Sequence, residues 1–108
     1  MIETHTFEVT SGAALTIQPR NFNGQRFTDG HRNVQVTCHN LAGGSFDVSY
    51  RSPETANYIE HVTGATEVDA VMIAGPRAPI FDAVKVEFSN IPQGTLTKVT
   101  INTWPRGL

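Results

Sequence analysis

Residues 33–53 read NVQVTCHNLAGGSFDVSYRSP, and this stretch decides the fold. Val34, Val36 and Cys38 alternate with Gln35, Thr37 and His39; further on, Phe46, Val48 and Tyr50 alternate with Asp47, Ser49 and Arg51. Successive side chains of a strand point to opposite faces, so a strict period of two marks each run as a half-buried β-strand. Between them, Asn40-Leu41-Ala42-Gly43-Gly44 supplies the residue types that turn a chain. Pro53 ends the second strand because it has no N–H to give a ladder. The pair is an antiparallel hairpin, with Cys38 and Tyr50 turned inward and His39 outward.

The same alternation recurs on both sides of this hairpin. Phe7 and Val9 share a face in a strand over Thr4 to Thr10, and Leu15 and Ile17 face inward between Ala14 and Gln18. Tyr58 to Val62 and Val71 to Ala74 read as two further strands. Val84, Val86 and Phe88 form another, and Ile91-Pro92-Gln93-Gly94 turns the chain into a last one carrying Val99, Ile101 and Thr103. Thr37, Ser49, Thr97 and Thr100 read as small, uncharged outward positions. Composition agrees: Thr, Val and Ile number 30 of 108 residues against 4 Leu, and β-branched side chains suit pleated surfaces better than helices. Seven or eight short strands at this spacing predict a single all-β domain over 1–108. It is an antiparallel β-sandwich of jelly-roll or Ig-like type, with a short C-terminal tail at 104–108.

Charge narrows the function. Each half of the chain, 1–54 and 55–108, carries 4 basic and 5 acidic residues, for a net −2 overall. Nucleic-acid binding rests on clustered Lys and Arg, so no direct nucleic-acid partner is expected. No apolar run approaches the ~20 residues of a membrane helix, and Met1-Ile2-Glu3-Thr4 has neither the basic nor the apolar region of a signal peptide. One cysteine means no internal disulfide.

Catalytic patterns are equally sparse. The four histidines, at 5, 31, 39 and 61, lack the close pairs of a zinc site, and Cys38 and His39 face opposite ways. Cys38 reads as a small buried hydrophobe rather than a nucleophile. No G-x-S-x-G elbow, dinucleotide fingerprint or Walker loop occurs. Glu67 and Asp69 share a strand parity, which reads as a solvated face rather than a glycosidase pair. No enzyme activity, metal, cofactor or small-molecule ligand is expected.

What stands out is a connection. Pro19 to Asn33, PRNFNGQRFTDGHRN, is long for a loop in a compact domain, and such loops usually carry function. It holds Arg20, Arg26 and Arg32, Phe22 and Phe27, and His31 against one acid, Asp29; Arg and aromatics are the types enriched where proteins meet. Two shorter connections, Ser52 to Asn57 and Gly75 to Pro79, complete the set. With Arg77 and Trp104, these six residues are the candidate interface. Only two lysines occur, whereas a solitary sandwich commonly guards its edges with Lys. That scarcity suggests surfaces covered by other subunits.

In texture the chain resembles the small β-sandwich structural proteins of tailed-bacteriophage particles. The residues that carry the likeness are NVQVTCHNLAGGSFDVSYRSP and, later, VMIAGPRAPIFDAVKVEFSNI at 71–91, before a last Thr/Val/Ile strand. The resemblance implies a virion protein made in the host cytoplasm: a capsid decoration (cement) protein, a head-tail component or a tail-attached module. Its partners would be further copies of itself and major capsid or tail proteins. The alternative is a carbohydrate- or receptor-binding module of a tail fibre, with Trp104 as its platform.

Overall fold

A computed structural model describes residues 2–17, 32–52, 56–75, 77–79 and 81–105. Among them are eight strands: β1 (Glu3–Thr10), β2 (Leu15–Ile17), β3 (Arg32–His39), β4 (Ser45–Arg51), β5 (Tyr58–Ala65), β6 (Val71–Ile73), β7 (Ala83–Ser89) and β8 (Leu96–Pro105). They form two four-stranded antiparallel sheets in the orders β1-β8-β3-β6 and β2-β7-β4-β5.

The order follows a rule. β1 pairs with β8, β2 with β7, β3 with β6 and β4 with β5. The chain is thus one long hairpin folded on itself, and it is then rolled so that β8 also meets β3 and β7 also meets β4. That is the double Greek key of a jelly roll, and it decides against the Ig-like alternative.

The alternation read from the hairpin is realised. Val34, Val36, Cys38, Phe46 and Val48 are fully buried, and with Ile17, Ile73, Phe81, Val84, Val86, Val99 and Ile101 they fill the space between the sheets. Tyr50 is half-buried and packs against this core. Asn40 and Ala42 in the turn adopt φ of 63° and 50°. Burial pushes the Cys38 thiol from 9.0 up to about 12. The native protein is therefore expected to resist a thiol reagent at pH 8 and to react only after unfolding in urea. The sign is fixed. Between about pH 9 and 12 the unfolded chain gives up this proton and the folded one keeps it, so stability falls as pH rises through that window.

Two expectations change, and a third holds in direction but not in exposure. Thr97 points inward, not outward: it is fully buried in one row of β8 with Val99, Ile101 and Thr103, and its hydroxyl donates to the Asn40 carbonyl at 3.1 Å. Ser49 does face outward, yet it is only 8% exposed because its register neighbours Lys85 and Glu60 wall it on both sides. Trp104 and Pro105 belong to β8, opposite Asn33 and Arg32, rather than to a tail. A proline fits the last position of a strand, where no further rung needs its N–H. Residues 106–108 lie outside the described set.

Candidate functional site

Strand polarity alone gathers the long connections. All neighbouring strands are antiparallel, so odd-numbered strands run one way and even-numbered strands the other. The β2–β3, β4–β5 and β6–β7 connections therefore leave from and return to one end of the sandwich. These are the three connections singled out in the sequence. The first residues of β1 and the last of β8 reach the same end.

Arg32 starts β3 with the inward parity of Val34 and caps this end of the core. Its Nη2 donates to the Thr103 hydroxyl at 3.1 Å and lies 3.9 Å from the Glu3 carboxylate, and the side chain is 17% exposed. Much of the guanidinium is thus engaged within the fold. Trp104 is half-buried on the outer face of its sheet, opposite Asn33. The buried Asn33 side chain accepts the Gly75 N–H through Oδ1 at 2.9 Å, which ties β3 to the β6–β7 connection. Arg77 sits exposed in that connection. The structure thus brings Arg32, Trp104 and the Arg77 turn to one end. Arg20, Phe22, Arg26, Phe27 and His31 lie outside the described residues. Arg51 Nε donates to Asp82 at 2.9 Å, and the Asp82 N–H donates to the Arg51 carbonyl at the same distance, joining β4 to the β6–β7 connection. The carboxylate hydrogen bond raises the Arg51 pKa.

The opposite end is closed by short, cross-linked turns. Ser11 N–H donates to the Thr95 carbonyl, Asn40 Nδ2 to the Leu96 carbonyl and Leu41 N–H to the Glu67 carboxylate. Asp69 accepts from the Thr66 N–H at 2.7 Å, holding the β5–β6 turn. Glu67 and Asp69 thus each hold a turn through a backbone N–H.

The outer faces differ. On the first sheet, Thr4 donates to Asn102 at 2.6 Å and Asn102 to Gln35 at 3.1 Å, a polar ladder across three strands. The second sheet has a hollow of about 290 Å³ over β7, β4 and β5, with Ser49 between Lys85 and Glu60. Tyr58, Thr63, Asp47 and Glu87 also line it. Lys85 Nζ sits 4.6 Å from the centre of the Tyr58 ring and 3.6 Å from the Glu87 carboxylate. Sequence reading missed this hollow because its residues come from three strands whose register no local pattern supplies. Among the described residues no cluster of three or more His, Cys, Asp or Glu could hold a metal ion. His61 instead bridges the two sheets, with Nε2 2.7 Å from the Met72 carbonyl.

No protein-family model matches the chain, and no curated protein does. Among solved structures, the chain is similar to AlgX of Pseudomonas aeruginosa, with 11% identity and a TM-score of 0.59 over 96% of this chain and 26% of that one. It is also similar to a protein of Bacillus endospore appendages, described as disulfide-linked pili, with 13% identity and a TM-score of 0.56 over 99% of this chain and 88% of that one. The chain spans about a quarter of AlgX. At these identities the likeness establishes the sandwich fold.

Proposed function

We propose that the protein is a structural subunit that acts by assembly, with its contacts concentrated at the end of the jelly roll where the long connections gather. The observation that carries this reading is the segregation of the two ends. Turns of four to six residues cross-linked by hydrogen bonds close one end, while the other collects the two longest connections, β6–β7 and the Arg- and Phe-bearing β2–β3. Binding surfaces are commonly built in this way, as loops on a rigid scaffold. The shared fold with an appendage protein supports the class. Its disulfide chemistry does not carry over: the one cysteine here is fully buried in β3.

Within that class we infer a tailed-bacteriophage virion component, a capsid decoration or head-tail protein. The support is the resemblance carried by residues 33–53 and 71–91. Partners would be further copies of the chain and capsid or tail proteins, with no cofactor and no catalytic residue.

Light scattering over a range of concentrations tests the class. The expected result is a discrete oligomer for the intact chain, and a monomer with an unchanged β circular dichroism spectrum once residues 21–31 are deleted. An intact chain that stays monomeric at every concentration overturns self-assembly.

A further inference from the structure

We propose that the hollow on the outer face of the β2-β7-β4-β5 sheet is a binding site for a neutral sugar, held through its hydroxyls. A side-chain hydroxyl both donates and accepts, so one without a partner inside the protein is available to a ligand. Four polar side chains are buried among the described residues: Asn33, Ser49, Thr97 and Thr103. Asn33 bonds to Gly75, Thr97 to Asn40, and Thr103 to Arg32. Ser49 has no such partner among the described residues: the residue is only 8% exposed, and its hydroxyl keeps open surface where the side chain lines the hollow.

The surrounding groups choose the ligand. Along one row of the sheet, Lys85, Ser49 and Glu60 stand side by side, offering a donor, a hydroxyl and an acceptor. The Tyr58 phenol and the Thr63 hydroxyl line the same hollow. An arginine or lysine side chain is donor-only, so it would leave the protons of the Ser49, Tyr58 and Thr63 hydroxyls unplaced and would approach Lys85 against its charge. An acidic sugar would meet three carboxylates, Asp47, Glu60 and Glu87, against one lysine. A sugar hydroxyl both donates and accepts, so a vicinal pair can bridge Lys85 and Glu60 over Ser49 and satisfy all three. At about 290 Å³ the hollow sits at the small end of the roughly 300–1,000 Å³ range of ligand pockets, a size for one sugar ring. The site lies on a sheet face and reaches toward the loop-bearing end at Tyr58, the first residue of β5, but it does not depend on the assembly reading.

The test is an amide-proton NMR titration of the intact chain with neutral disaccharides (lactose, maltose and cellobiose), and separately with glucuronic acid and arginine amide. The expected result is saturable shifts at Ser49, Glu60 and Lys85 with a neutral sugar. Ser49→Ala and Glu60→Gln should each weaken that binding about tenfold without altering the rest of the spectrum. Trp104→Ala should leave it unchanged. Absence of saturable shifts with every neutral sugar overturns the proposal, as does undiminished binding in Ser49→Ala. Binding of arginine amide alone makes the hollow a seat for cations and overturns it too. Light scattering on the same samples reads the assembly separately, so either reading can fail without the other.

Discussion

Phe46→Ala should cost about 4 kcal/mol, read as a lowered midpoint of urea unfolding at unchanged slope. Phe46 is among the largest fully buried side chains. It sits in β4, which pairs with both β5 and β7, and its register partners are Ala65 and Phe88. Truncation removes the transfer free energy of the ring and leaves a cavity between two sheets that cannot close. Each sheet is held at its own spacing by ladders on either side of the site, so the neighbours cannot move in. A domain of this size typically has a total stability of roughly 5–15 kcal/mol, so the variant would approach the edge of folding. Phe46→Leu refills most of the volume and should recover more than half of the loss. Equal losses for the two variants would show that the core relaxes around the site.

Gly44→Ala should be the costliest alanine substitution among the described glycines, about 3 kcal/mol. A Cβ at this position would stand 2.5 Å from the Ser89 carbonyl oxygen, 2.8 Å from that of Asn90 and 2.5 Å from Ile91 Cδ1. Ile91 can rotate away. The two carbonyls cannot, because Ser89 is the register partner of Ser45 at the end of the β4–β7 ladder. The control is next door: Gly43 has φ of 86° but nothing within 4 Å of an added Cβ. Gly43→Ala therefore meets only the backbone penalty of a left-handed residue, about 1 kcal/mol. A smaller loss for Gly44→Ala than for Gly43→Ala, by thermal or urea melts, would mean that the turn shifts as a unit.

These two residues also mark how far the sequence could be read. Alternation placed Phe46 in the core, and a turn was plain at Asn40-Leu41-Ala42-Gly43-Gly44. Which glycine faces empty space and which faces the end of β7 depends on a strand some forty positions later. The same limit governs the surface. Thr97 looks outward because threonine is polar, yet it shares the buried row of β8 and its hydroxyl donates to the Asn40 carbonyl. The pairing order was legible only as a choice between two sandwich types, since hairpin patterns are the same in both. Trp104, Arg32 and Arg77 were chosen by residue type, and topology then brought them to one end. Ser49 was seen as an outward serine. Its burial needed Lys85 and Glu60 from the two adjoining strands, a relation carried by register and absent from local periodicity.

The folded-hairpin order bears on how the protein is made. β1 leaves the ribosome before the other seven strands described and its partner β8 after them, and the Thr4–Asn102 bond joins residues 98 positions apart. Only the β4–β5 pair can close early; each pair outward from it spans a longer stretch of chain. Such non-local ladders form slowly, since the entropy of closing the loop must be met before the contacts repay it. The first strand therefore waits with an open edge while the rest of the chain is synthesised. Its exposed face during that wait, Thr4, Thr6, Glu8 and Thr10, is polar and carries an acid, a composition that discourages premature pairing with a neighbouring nascent chain.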